Sequence, residues 1–143
     1  MATSYSLQPI VVTATTALTQ RPFANNICVL DSATGRTITL PASTGKGDVY
    51  TVFVKTTVSS GNHVIQVANS TDVMSGAIHL TTDIAGTSMP TSASSDTITM
   101  NGSTTGGLLG SWFTFTDVAA GFWALIGVAN CTGTEATPFS AAV

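Results

Sequence analysis

"VYTVFVK", residues 49–55, decides how this chain is read. Tyr50, Val52 and Val54 alternate with Val49, Thr51 and Phe53, so the period is two and both faces are largely apolar. A strand of that kind belongs in the middle of a sheet, covered above and below. Its β-branched and aromatic residues suit the place because they pack well on a pleated surface.

The same period returns on either side. "RTITL" (36–40) sets Ile38 and Leu40 against Thr37 and Thr39. "NICVL" (26–30), "HVIQVA" (63–68), "AIHL" (77–80), "TITM" (97–100), "WFTFT" (112–116) and "FWALIGV" (122–128) follow, flanked by Gly, Ser, Asn or Asp. The last of these is again apolar on both faces. No stretch keeps helical spacing for long enough to compete. About eight short strands separated by turn residues predict an all-β fold: a β-sandwich, jelly-roll-like, over residues 26–130, with a barrel as the alternative. Residues 1–25, apart from "IVV" at 10–12, and residues 131–143 show no bounded strand and are expected to form extended N- and C-terminal arms.

Composition agrees with that class. The 143 residues suit one domain with a core that needs no metal or disulfide. Charged residues make up 8%, against about 25% in an average domain, and 26 Thr and 15 Ser supply the polar surface instead. Thr, branched at Cβ, favours strands. The net charge is -3 and the cations are Arg21, Arg36, Lys46 and Lys55, too few to neutralise a run of phosphates, so nucleic acid is not an expected partner. So weak a charge offers little repulsion between copies and permits dense assembly. No early apolar run has the length of a secretory or membrane segment, and a soluble chain made inside the cell is expected.

"LPASTGKGD" (40–48) raises the question of a phosphate-binding loop, because it holds a Gly-Lys pair. That motif requires Gly five residues before Gly45, a hydroxyl after the lysine and a following helix; here Leu40, Gly47 and a strand stand in those places. A turn is expected. "TITLPASTGKG" (37–47) also echoes "TITMNGSTTGG" (97–107) at an offset of 60, with Gly106 in place of Lys46 and Phe53 over Phe113.

Chemistry-bearing residues are sparse. His63 and His79 sit among apolar neighbours and are read as structural imidazoles. Asp31, Asp48, Asp72, Asp83, Asp96, Asp117 and Glu135 fall singly at run boundaries, where a carboxylate accepts backbone hydrogens in a turn; converging calcium ligands are the alternative. Cys28 and Cys131 lack metal-ligand spacing and are read as buried thiols, with a disulfide as the alternative. No Gly-x-Ser-x-Gly elbow singles out a nucleophile. Three Asn-x-Ser/Thr sequons match the abundance of Ser and Thr and come with no secretory signal. No cofactor or metal is expected, and no catalysis. Trp112, Phe113, Phe115, Phe122 and Trp123 cluster late in the chain, and alternation turns some of them outward toward solvent, sugar or a partner protein.

The segments "TITLPASTGKGDVYTVFV", "SSGNHVIQVANSTDVMSGAI", "TITMNGSTTGG" and "GFWALIGV" with the later "GTEATPFS" resemble a family of small tailed-bacteriophage virion proteins, the head decoration or capsid cement proteins, over residues 26–140. The resemblance implies a sandwich or jelly roll that sits as a small oligomer on the outer surface of the capsid and bridges major capsid protein subunits. It transfers no catalytic motif. Expected partners are the major capsid protein and the chain itself, a homodimer being favoured over a homotrimer, with no membrane. Candidate capsid or subunit contacts are Arg21, Phe23, Lys46, Trp112, Trp123 and Phe139. The rival expectation is a receptor- or glycan-binding module of a tail fibre or spike.

Overall fold

The computed structural model describes residues 8–82 and 85–143; Asp83 lies outside them. The chain runs β1 (Ile10–Val12), β2 (Thr16–Ala17), a single helical turn α1 (Gln20–Phe23), β3 (Asn26–Leu30), β4 (Thr37–Thr39), β5 (Val49–Val54) and β6 (His63–Gln66). It continues through β7 (Val73–Thr81), β8 (Thr87–Pro90), β9 (Thr97–Met100), β10 (Trp112–Ala119), β11 (Phe122–Asn130) and β12 (Phe139–Ser140). All eight expected strands are there, and the all-β sandwich is the architecture found.

Two sheets make the sandwich. The seven-stranded sheet has the order β1-β3-β5-β10-β11-β7-β8 and the five-stranded sheet the order β12-β9-β6-β4-β2. From β1 to β7 the chain alternates between the sheets, strand by strand, so consecutive strands of one sheet are parallel: β1 with β3, β3 with β5, β2 with β4, β4 with β6. Parallel neighbours need a crossover, and here a strand of the opposite sheet serves as the crossover in place of a helix. This winding separates the first half from an antiparallel jelly roll. The second half is mostly antiparallel, built on the β10–β11 hairpin.

The core lies between the sheets. Leu30, Tyr50, Val52 and Val54 from one side meet Ile38, Leu40, Ile65 and Ile98 from the other, with Phe113, Phe115 and Trp123 filling the centre. Tyr50 and Trp123 pack edge to face, ring centres 5.5 Å apart. Burial of each large apolar side chain contributes about 1.5–3 kcal/mol, so this many interior residues suffice for a fold without a crosslink.

Residues 8–25, the described part of the expected extended N-terminal arm, are woven into the chain's own sandwich, giving an edge strand to each sheet: β1 pairs with β3 and β2 with β4. The C-terminal tail likewise docks, β12 pairing with β9, while the N–H groups of Ala142 and Val143 donate to the Asp96 carboxylate. Strands of two or three residues carry too little alternation to announce themselves. The 60-residue echo places β4 and β9 on either side of β6. It breaks at the aromatic pair, since Phe53 faces outward against Trp112 while Phe113 is buried.

Candidate functional site

The loop 40–48 does gather an anion, but the anion is the protein's own. The backbone N–H groups of Thr44 and Gly45 donate to Asp117 at 2.9 and 2.6 Å, Lys46 N–H at 3.3 Å, and the Thr44 hydroxyl at 3.0 Å. Successive amides turned to one point form an anion-binding concavity. Gly45 permits this one through its positive φ of 79° and through the approach of Ala119, whose Cα would stand 3.2 Å from a Cβ. Burial alone would raise the Asp117 pKa; the hydrogen bonds from Gly45, Thr44 and Lys46 together outweigh it and hold the carboxyl below its ordinary range. With its amides occupied, the loop has none left for a phosphate. The loop forms one wall of an open pocket of about 160 Å³, lined also by Gln20, Tyr50 and Trp123.

The other acids behave as tethers. Asp72 accepts from the Ser43 N–H at 2.8 Å, Asp96 holds the C-terminal backbone, and Asp31 pairs with Lys55 at 2.6 Å and accepts from the Thr56 hydroxyl. Their partners are distant in sequence, where the sequence reading expected local turns. Among the described residues no three His, Cys, Asp or Glu side chains form a cluster that could hold a metal ion.

His63 is fully buried. Its Nδ1 accepts from the Arg36 N–H at 3.1 Å, which leaves Nε2–H to donate to the Ser32 carbonyl at 3.0 Å. Burial, with help from Arg36, pushes its pKa down. His79 stays exposed beside the Ser88 hydroxyl. Cys28 and Cys131 are buried free thiols, and burial pushes the Cys28 pKa up to about 12, far from a reactive thiolate.

A surface feature stands out instead. On the outer face of the seven-stranded sheet, register aligns Val11, Val29, Phe53, Trp112 and Val128 across β1, β3, β5, β10 and β11. A second row sets Ile27, Thr51, Thr114, Ile126 and Ala77 side by side. Val118 and Phe122 extend the patch at the hairpin end. Ile126 is 72% exposed and Trp112 42%, the latter edge-on to Phe53 at 5.5 Å. No Asp, Glu, Lys or Arg occupies an outward strand position here; the Asp31–Lys55 ion pair sits at the rim. The outer face of the five-stranded sheet is unlike it, carrying Thr37, Thr39, Val64, Gln66 and Thr99.

The structure divides the six candidate contacts. Arg21, Lys46 and Trp112 are exposed, and Phe139 is half-buried in β12. Phe23 and Trp123 are core residues, 9% and 1% exposed, and leave the set: each falls on the inward side of its element, where the apolar neighbours are. The structure does not bring the remaining four into one site, and only Trp112 lies on the apolar face. Ile126, Val128 and Val118 were missed as candidates, whereas Phe122 belongs to the aromatic cluster of which some members were expected to turn outward. The signal was present in the two-sided apolarity of "FWALIGV", which reads as burial on both faces.

The fold and this surface define a class: an all-β sandwich with one uncovered apolar face. Comparison with protein-family models, with curated proteins and with solved structures finds no match to the chain.

Proposed function

We propose that this chain is a structural protein of a tailed-bacteriophage virion, a capsid decoration or cement protein that binds the outer face of the head and bridges major capsid protein subunits. The observation that carries the reading is the uncovered apolar face on a sandwich whose own core is already closed. Such an exposed apolar face marks a protein that works in an assembly, with a different partner or with further copies of itself. The resemblance of residues 26–140 to cement proteins supplies the assembly.

The mechanism is multivalent binding. One decoration unit contacts several capsid subunits, and once the first contact forms the others act at high effective concentration. Preferential binding to the mature lattice then stabilises that lattice by mass action. No catalytic step and no cofactor enters, and the partners are the major capsid protein and further copies of the chain.

Heating decorated particles beside particles stripped of the protein tests the proposal. Stripped particles should release their genome at a lower temperature, and equal release temperatures would overturn it. A receptor- or glycan-binding module of a tail fibre or spike is the second reading, favoured by the exposed Trp112 ring set edge-on to the half-buried Phe53, on which a sugar could stack.

A further inference from the structure

We infer that the outer face of the seven-stranded sheet is a dimer interface, covered by the same face of a second copy of this chain. The inference sharpens the self-association named above, and it concerns the free protein, so its failure leaves the shell proposal to its own test.

Composition points to the occupant. Interfaces formed transiently are no more apolar than ordinary surface, whereas permanent homodimer interfaces resemble a core cut in half. The outward strand positions of β1, β3, β5, β10, β11 and β7 hold Val, Ile, Phe, Trp, Ala and Thr, with Ser75, His79 and Asn130 on the β7–β11 side and no Asp, Glu, Lys or Arg. Two copies that each carry a net charge of -3 therefore meet through a surface where neither presents charge.

Size agrees. Six strands about 4.8 Å apart and about six residues long at roughly 3.3 Å each cover about 600 Å² in projection. Side-chain relief and the neighbouring Leu109, 58% exposed beside Asn130, bring this toward the roughly 800 Å² that each partner gives to a stable interface. Shape agrees as well. Ile126 projects from the second row between Thr114 and Ala77, both smaller, so each copy offers a knob with shallow ground beside it. Face-to-face stacking at about 10 Å interlocks such surfaces, and a twofold axis makes each knob meet the other copy's hollow.

Edge-to-edge growth is the competing mode, and the sheet is built against it. Its edge strands are the three-residue β1 and the four-residue β8, which ends in Pro90. Short edges and proline block strand addition, leaving the face as the route of association.

Sedimentation of the purified chain at micromolar concentration, with Ile126→Lys and Val128→Lys variants, decides the matter. The wild type should sediment as a dimer, and each variant should raise the dissociation constant by about a hundredfold or more while keeping the wild-type circular dichroism spectrum, because an ammonium would be desolvated against apolar surface. Thr39→Lys, on the opposite face, should leave the dimer intact. A monomeric wild type overturns the inference, whether or not the face then proves to bind capsid or glycan. A dimer that survives both variants unchanged overturns it too.

Discussion

Asp117 shows how much of this fold rests on single carboxylates. It satisfies three consecutive N–H groups of a loop 73 residues away at Thr44. Replacement by Ala leaves those part-buried donors without their acceptor, and a loss of about 1–3 kcal/mol is expected from thermal or urea unfolding. Lys46 belongs to the same loop but points outward. Lys46→Gly should change stability by no more than about 1 kcal/mol and at most weaken capsid binding; a larger loss would show that the side chain holds the loop. Acid should act on His63 and Asp117 in turn. The His63 pKa is depressed in the folded chain, so its stabilising contribution is complete above 6.5 and is lost as pH falls toward the folded value. The Asp117 pKa is also depressed, so its contribution is complete above 3.8 and lost below. Unfolding temperature should therefore decline in two stages on acidification, and His63→Gln should remove the first. A flat profile between 6.5 and 3.8 would contradict the His63 assignment, and no further decline below 3.8 would contradict that of Asp117.

Elements differ in how much of themselves they declare. β3, β5, β9, β10 and β11 are long or regular enough for alternation to show, and each alternating run begins where its strand begins, although β10 and β11 continue past theirs. β2 and β12 have two residues each, and no period exists in two residues. Their place depends on partners 22 and more residues away, which sequence pattern does not encode. The apolar face was half legible. Trp112 could be read as outward from alternation, but Ile126 and Val128 lie in a strand whose two apolar faces signal burial, and a single copy covers just one of them. β7 also carries a demand that pattern alone hides. Gly76 lies against β11, where an added Cβ would stand 1.8 Å from the Leu125 carbonyl oxygen. Gly76→Ala should separate the two strands locally and lower stability by about 3 kcal/mol or more; an unchanged melting temperature would contradict the close parallel β7–β11 pairing.

At the scale of the whole molecule the two outer faces set the behaviour. One is mostly threonine and amide, content in water; the other is mostly valine, isoleucine and aromatic with threonines between them, and gains from being covered. A chain with 8% charged residues has few other means of recognition, so apolar area and shape must do what charge does elsewhere. A twofold pair would present two copies of every remaining surface, Arg21 and Lys46 included, to a lattice of repeating subunits. That arrangement suits bridging, because each half of the pair can hold a different capsid subunit. The central claim, that the chain is a component of the head's outer surface, is tested most directly by an image of the virion with this chain labelled. Label distributed over the whole shell at positions between capsid subunits is the predicted result; label confined to the tail, or none on the particle, would contradict it.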